Sequence, residues 1–158
     1  MSGSSGNSFD ECDVAWMTEA MQLALRAADE GEVPVGALVV RSGEVVGRGW
    51  NRNIGLNDPS AHAEIIAMRE AGLNLGNHRL KGCRLYVTLE PCPMCAGAMI
   101  HARLDKVVYG ASDPKTGAAG GRLELLRHPV HNHVIDVAGG CLADESSKML
   151  KNFFRQRR

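Results

Sequence analysis

The stretch E-P-C-P-M-C, residues 90–95, sets two cysteines, Cys92 and Cys95, three positions apart. It follows the β-rich run R-L-Y-V-T-L, residues 84–89, and Pro93 suits the first turn of a helix. The stretch therefore predicts a junction at which a strand ends and a helix begins. A Cys-x-x-Cys pair at such a junction is half of a structural zinc site, a redox pair, or part of a catalytic site.

A second strand-to-helix junction lies thirty residues upstream, where A-H-A-E places His62 and Glu64 at the opening of a predicted helix. The two junctions are expected to meet at one edge of an open α/β sheet, where such folds place their ligands. His62, Cys92 and Cys95 then converge as three zinc ligands, and three protein ligands plus water is the catalytic pattern. A histidine from H-P-V-H-N-H, residues 128–133, is the rival ligand that would close the site as a structural one.

Glu64 supports a catalytic site only if its side chain faces the same way as His62. Residues two apart on a regular helix point in nearly opposite directions, so the pair requires an irregular first turn. We expect Asp58 or Ser60 to cap the helix, with Pro59 in its first turn, and so to supply that irregularity.

The hydrophobic periodicity gives one helix, a hairpin, and then strands alternating with helices. This order predicts an α/β fold with helices on both faces of one mixed, five-stranded sheet. Residues 54–60 are predicted to be loop, and the long connection 112–132 is of the kind that often carries function. The predicted helices cover about 13–30, 60–72, 93–103 and 141–156, and the predicted strands cover 34–40, 45–51, 84–89, 106–111 and 133–139.

Length and charge limit the classes of protein to consider. The 158 residues suffice for one domain, placed at 13–158 after a flexible, Ser/Gly-rich segment at 1–12. Basic and acidic residues number 18 each, so a nucleic-acid surface has to be a local patch. No apolar run reaches the ~18 residues of a membrane span, and the polar start is unlike a secretory leader, so no membrane is expected as a partner.

The five cysteines form an odd set without the spacing of a disulfide framework. Cys12, Cys83 and Cys141 are therefore expected to be free thiols, two of them in the core. Free thiols are typical of a reducing compartment, so we expect the protein in the cytoplasm.

The predicted last helix has a basic side and an apolar side. The basic side is either a solvated face or a track for nucleic-acid phosphates, and in the second case Arg155 would bind the substrate. This terminal basic stripe comprises Lys148, Lys151, Arg155 and Arg158, and the apolar side comprises Leu142, Met149, Leu150 and Phe153.

The pattern H-A-E at 62–64 followed by P-C-P-M-C at 91–95 resembles the zinc-dependent cytidine and adenosine deaminase superfamily, whose known signature is H-x-E…P-C-x-x-C. Within it, the chain is similar to the bacterial tRNA-specific adenosine deaminases over about 15–158. C-A-G-A-M-I-H, D-P-K-T-G-A-A-G and the F-F-R end narrow the resemblance to that family. The segments that carry it are 32–40, 49–52, 58–65, 85–103, 107–120 and 153–158.

The resemblance implies the three-layer α/β/α cytidine-deaminase-like fold and the hydrolytic deamination of adenosine to inosine at the wobble position of tRNA, with arginine tRNA bearing an ACG anticodon as substrate. One Zn²⁺ per subunit would be held by His62, Cys92 and Cys95, and hydroxide on the zinc would attack carbon 6 of adenine. Glu64 would be the catalytic proton shuttle. The resemblance also implies a homodimer that binds the tRNA anticodon loop.

The same resemblance assigns substrate-binding residues. Asn51 would contact the base, since an amide donor and acceptor suit a purine edge. Val33 and Pro34 would form an apolar wall. Asp113 would accept a bond from a sugar hydroxyl, and Lys115 would meet a phosphate.

Three other functions fit parts of the pattern. One is a free-base or nucleoside deaminase, acting on guanine or cytosine, on the same scaffold. The second is a zinc-stabilised binding module without catalysis, which would have four protein ligands. The third is a redox protein with a reversible Cys92–Cys95 disulfide.

Overall fold

The β-rich segments of the sequence join into one mixed sheet in the computed structural model, which describes residues 9–157. The strands are β1 (Gly36–Arg41), β2 (Glu44–Trp50), β3 (Cys83–Leu89), β4 (Lys106–Ala111) and β5 (Asp136–Gly139). Their order across the sheet is β2-β1-β3-β4-β5. β1 is antiparallel to both of its neighbours, whereas β3, β4 and β5 run parallel to one another.

Residues 9–157 also form the helices α1 (Glu11–Asp29), α2 (Asn53–Leu56), α3 (Ala63–Leu75), α4 (Pro93–Ala102) and α5 (Ala143–Gln156). A capping box starts α1, in which Asp10 accepts a 2.8 Å hydrogen bond from Asp13 N. The helix thus begins inside the segment predicted to be flexible, at 1–12, whose residues 1–8 lie outside the described part. None of the described helices is long and apolar enough to cross a bilayer.

Each strand sends alternate side chains to opposite faces of the sheet, and both faces are covered. One face carries α3 and α4, and the other carries α1 and α5. This confirms the predicted three-layer α/β/α architecture. The first face buries Ala37, Val39, Leu85, Val87 and Val107, and the second buries Leu38, Val40, Tyr86 and Val108.

The strand directions bring several chain segments to one edge of the sheet. β2, β3 and β4 all end there, because the antiparallel β1 lies between two strands of the same direction. The start of β1 lies at the same edge. The stretches 33–35, 51–53, 90–95 and 112–116 therefore meet at this edge, which the motifs predict to be the site of function.

The structure differs most from the sequence-based prediction in three places. The one-turn helix α2 overlaps residues 54–60, which were predicted as loop; the buried Glu32 carboxylate accepts hydrogen bonds from Ile54 N and Gly55 N of this helix. The fifth strand, predicted from 133, begins at Asp136, and His133 Nε2 instead lies 2.6 Å from Leu104 O. The helix predicted from about 60 begins at Ala63.

Glycines allow α3 to lie unusually close to β2. A Cβ placed at Gly47 would be 2.1 Å from Ala67 O, and one at Gly49 would be 2.2 Å from Ala63 O. The facing residues of α3 are the buried alanines Ala63, Ala67 and Ala71. Since α3 begins directly after His62, this close contact between α3 and β2 sets the position of His62, the predicted ligand, relative to the edge of the sheet.

We expect Gly49→Ala to lower the free energy of unfolding by about 1–3 kcal/mol, because its methyl group must displace the backbone of α3. Chemical denaturation measures the change. Gly97→Ala is the control, since a Cβ at Gly97 meets no heavy atom within 4 Å and alanine favours a helix. Equal stabilities for the two variants would contradict the close packing of α3 on β2.

Candidate metal centre and active site

The two motif cysteines stand at the N-terminus of α4. Cys92 is the N-cap residue, with extended backbone angles of φ −78° and ψ 172°, and Pro93 follows in the first turn. Cys95 lies in the same turn and is fully buried, whereas Cys92 is half-buried. The N-terminal position suits thiolates because unpaired backbone N–H groups and the helix dipole favour negative charge.

His62 is the N-cap residue of α3, in extended conformation with φ −75° and ψ 153°. Because it stands outside the helical turns, His62 and Glu64 reach the same cavity, as the sequence argument required. The expected cap was wrong. Asp58 Oδ1 bonds Ser60 in a local turn, Pro59 lies outside the helix, and His62 makes no side-chain cap bond.

Asn51, at the end of β2, supplies the missing helix cap from another element. Its Oδ1 accepts a 2.8 Å hydrogen bond from Ala63 N, the first amide of α3. This bond ties the end of β2 to the start of α3 and orients the turn that carries His62. It uses one of the two lone pairs of the Asn51 amide oxygen.

His62, Cys92 and Cys95 come together as the sequence predicted. His62 Nδ1 lies 3.6 Å from Cys92 Sγ and 3.4 Å from Cys95 Sγ, and the three ligand atoms all lie within 4.8 Å of one another. Zinc bonds of about 2.3 Å to sulfur and 2.1 Å to nitrogen, at tetrahedral angles, place N and S about 3.6 Å apart. The donor set and its spacing fit one zinc ion.

The ionisation of the two cysteine thiols also indicates a site for a cation. Hydrogen bonds from Cys95 and His62 lower the pKa of Cys92 to about 4, whereas the hydrogen bond to Cys92 and burial raise the pKa of Cys95. The bond to Cys92 raises the pKa of His62. Without metal the pocket therefore holds one thiolate easily and a second with difficulty, and a divalent cation supplies the charge that lets both ionise.

No fourth ligand reaches the group from residues 9–157, within which these three form the one cluster of His, Cys, Asp or Glu that fits a metal ion. His101 is exposed near the end of α4, and His133 contacts Leu104 O, which follows that helix. His128 Nδ1 accepts from Val130 N. The rival in which residues 128–133 close a structural site is therefore not supported.

A cavity of about 250 Å³ opens beside the metal ligands. Glu64, only 4% exposed, faces it, and burial raises the pKa of Glu64 to about 7. His62 and Cys92 line the same cavity. The side chains around it combine apolar walls with convergent polar groups, and they are Val33, Val35, Asn51, Asn53, His62, Glu64, Leu89, Glu90, Cys92, Asp113 and Thr116.

The other residues assigned to substrate binding fall into two groups. Val33, Asn51 and Asp113 line the cavity. Pro34 is buried next to Val33 without lining it, and Lys115 is exposed on the loop that follows β4. Arg155 is exposed on α5, in a separate surface depression.

Comparison with known proteins assigns the family. The sequence pattern of the cytidine and deoxycytidylate deaminase zinc-binding region matches residues 10–111. The chain belongs to this deaminase family. It is an enzyme of the zinc-dependent deaminase class, and its His62–Cys92–Cys95 group fits one zinc per subunit.

Individual proteins within and near this family are similar to the chain over most of its length. It is 48% identical over 149 residues to the tRNA-specific adenosine deaminase of Haemophilus influenzae, covering 94% of this chain and 86% of that protein. A solved tRNA:A34 deaminase, described for A-to-I editing at the wobble position of transfer RNA, superposes with a TM-score of 0.83 at 44% identity, over 86% of this chain and 99% of that one. The protein NE0047 bound to 2,6-diaminopurine superposes with a TM-score of 0.78 at 29% identity, over 89% and 80% of the two chains.

Five cavity residues of the deaminase were missed by the sequence analysis: Val35, Asn53, Leu89, Glu90 and Thr116. Glu90 and Leu89 directly precede the P-C-P-M-C motif, and Thr116 belongs to the same D-P-K-T-G loop as Asp113. Proximity to a recognised motif is thus the signal that could have found these three. Among the remaining cysteines, Cys83 and Cys141 are buried and Cys12 is exposed, which confirms the prediction for the three thiols.

Proposed function

We propose that this deaminase hydrolyses adenosine to inosine at the wobble position of tRNA, in the cytoplasm, with arginine tRNA bearing an ACG anticodon as a substrate. The observation that carries the proposal is the His62–Cys92–Cys95 group beside the buried Glu64, in a cavity of about 250 Å³. The tRNA substrate is supported by the names of the relatives, at 48% and 44% identity.

The residues of the cavity divide the reaction between them. His62, Cys92 and Cys95 would hold the zinc, which would supply Lewis acidity for the activation of water at neutral pH. Glu64 takes the proton from the attacking water and delivers it to nitrogen 1 of the purine. It then transfers the remaining proton of that water, now on the hydroxyl group at carbon 6, to the amino group on the same carbon. The C–N bond breaks, ammonia leaves, and the carbonyl group of inosine forms. The burial of Glu64 keeps its carboxyl group in the cavity rather than in bulk solvent.

The shape of the cavity supports recognition of a single base taken out of its stack. Its volume is below the ~300–1,000 Å³ of pockets for drug-sized ligands. Asn51 and Val33 both line the cavity; Asn51 would donate from Nδ2 to a purine nitrogen, and Val33 would contact the base face. Bases in an anticodon loop are already partly unpaired, so the cost of extruding one is small.

The loop after β4 is proposed to contact the nucleotides beside the target base. Asp113 lines the cavity and would accept a hydrogen bond from a sugar hydroxyl. Lys115 is exposed two residues further along, where it would meet a phosphate. Pro34, behind Val33, would support the apolar wall without touching the base.

The terminal basic stripe is proposed to contact tRNA phosphates. Lys148, Lys151 and Arg155 are exposed on α5, while Phe153 is buried; Arg158 lies outside the described residues. We expect replacing these three residues with glutamine to make the slope of log affinity against log salt shallower by about 2–3, one unit per lost phosphate contact.

The control for the stripe replaces Arg41, Arg79 and Lys81, which are equally exposed but lie at the opposite edge of the sheet. This variant changes the net charge by the same amount, and its salt slope is expected to match that of the unmodified enzyme. A slope that is unchanged in the α5 variant would make the stripe a solvated face.

We also propose a homodimer. The surface between α3 and α4 has an open apolar groove bordered by Ile65, Met68, Ala98 and Ala102, and Leu73 nearby is 85% exposed. Apolar surface of this kind is typical of protein interfaces. Sedimentation equilibrium decides it, since a mass of one chain at micromolar concentration would contradict the dimer.

One assay tests the proposed activity directly. The purified enzyme is incubated with an arginine tRNA anticodon stem-loop carrying ACG, and the wobble nucleotide is analysed for inosine. Adenosine, guanine and cytosine are supplied in parallel, because NE0047 binds a free purine in the same fold. Deamination of a free base, with no inosine in the stem-loop, would assign the enzyme to base metabolism instead.

A further inference from the structure

Glu90 is a buried carboxylate next to the metal ligands that the proposed mechanism does not use. It is 3% exposed and stands two residues before Cys92. Within the described chain, the cluster of side chains fit for a metal does not include it. Its two oxygens turn instead to the loop after β4.

That loop closes around the Glu90 carboxylate. Oε1 accepts a 2.8 Å hydrogen bond from Asp113 N, and Oε2 accepts bonds of 2.9 Å from Ala119 N and 2.6 Å from Gly121 N. Three backbone donors on one carboxylate are strong, charge-assisted hydrogen bonds. They join both ends of the segment 113–121 to a single side chain.

Two glycines allow this close approach. A Cβ at Gly117 would lie 2.3 Å from Glu90 Cδ, and a Cβ at Gly121 would lie 2.4 Å from Glu90 Oε1. The backbone adds one more tie, since Ala118 N donates to Pro91 O at 2.8 Å. The loop is therefore shaped to hold a carboxylate at this point.

The bonds to Glu90 set the position of the cavity rim. Asp113 N is held by Glu90, and Asp113 Oδ1 in turn accepts from Lys115 N at 3.0 Å and Thr116 N at 3.1 Å. Asp113 and Thr116 both line the cavity. A shift of the Glu90 carboxylate would thus move the whole D-P-K-T turn relative to Glu64 and the metal ligands.

We propose that Glu90 is a positioning residue that holds the segment 113–121 against the active-site cavity and so sets the affinity for the substrate RNA. It neither binds the metal nor takes part in proton transfer. The statement about RNA rests on the proposed function, whereas the statement about the loop does not.

The test is Glu90→Gln, which keeps the shape of the side chain. Its NH₂ group replaces one acceptor oxygen and faces backbone donors, so at least one bond to the loop is lost. We expect KM for the stem-loop to rise about tenfold, as one buried unpaired donor implies, with kcat nearly unchanged. Zinc content should stay at one per chain. Amide hydrogen exchange should become faster at Asp113, Ala119 and Gly121.

Glu70→Gln is the matched control, because Glu70 also accepts a hydrogen bond from a backbone amide, Arg48 N, but is exposed on α3. Its KM and loop exchange should equal those of the unmodified enzyme. If Glu90→Gln does not fold, Gly121→Ala tests the same positioning role, since it keeps the Glu90 carboxylate and displaces the loop.

Two results would overturn the positioning role. One is unchanged exchange in 113–121. The other is a loss of zinc or of kcat with unchanged KM, which would make Glu90 part of the metal site or the chemistry. Failure of the unmodified enzyme to deaminate RNA would contradict the proposed function instead, because the exchange measurement needs no substrate.

Discussion

Glu64→Gln is expected to reduce turnover on the tRNA stem-loop by about 10²–10⁴-fold, the usual contribution of a proton-transferring group. The glutamine fills the same buried volume, but it cannot take a proton from water or return one to the purine. Because Glu64 lies beside the metal ligands without belonging to their group, zinc should remain at one per chain. Single-turnover rates and metal analysis on the same preparation measure both quantities.

Glu70→Gln serves again as the control, since Glu70 lies on the same helix but is exposed. Its turnover should be that of the unmodified enzyme. Glu64→Ala adds a test of size, and it should be as inactive as the glutamine variant while keeping its metal. Turnover within a few-fold of the unmodified rate in either Glu64 variant would remove this residue from the mechanism.

Cys95→Ala is expected to abolish activity through loss of the metal. It removes one of three ligands. Loss of a residue that only hydrogen-bonds to a ligand lowers metal affinity by about 10–100-fold, so loss of a ligand itself should lower zinc affinity further. The purified variant should contain far less than one zinc per chain. Since metal binding is linked to folding, it should also no longer gain thermal stability when zinc is added. Metal analysis and thermal denaturation with and without zinc are the measurements.

Cys83→Ala is the matched control for the metal site. Cys83 is as fully buried as Cys95, but it lies at the start of β3, at the opposite edge of the sheet. Both variants lose one buried thiol, so a common loss of stability reports packing alone. A full complement of zinc in Cys95→Ala, with normal turnover, would contradict the three-ligand site.

The sequence predicted the ligands better than it predicted the geometry that joins them. Residue type and spacing sufficed for His62, Cys92 and Cys95, because few other side chains bind zinc and both junctions had to reach one sheet edge. The predicted local cap of α3 was wrong, since the hydrogen bond that caps this helix comes from Asn51, at the end of β2. Contacts between residues distant in sequence leave no periodic signal.

The fold shows the same division. Hydrophobic periodicity and the alternation of strand and helix segments along the chain predicted five strands and the layers around them. The structure confirms both. The short helix α2 was missed because its stability comes from Glu32, more than twenty residues earlier. The fifth strand was predicted too long because apolar residues at 134 and 135 continue its pattern, whereas pairing with β4 begins only at Asp136.

The seam of glycine and alanine between β2 and α3 has a consequence for metal uptake. Because the two backbones lie this close, with mainly alanine side chains on the facing side of α3, the helix cannot slide or tilt without a backbone clash, so the His62 imidazole is positioned once the chain has folded. The ordering entropy of this ligand is then spent in folding and not again when the ion arrives. We expect this preformed position of one ligand to raise zinc affinity, although the contact between β2 and α3 does not touch the metal.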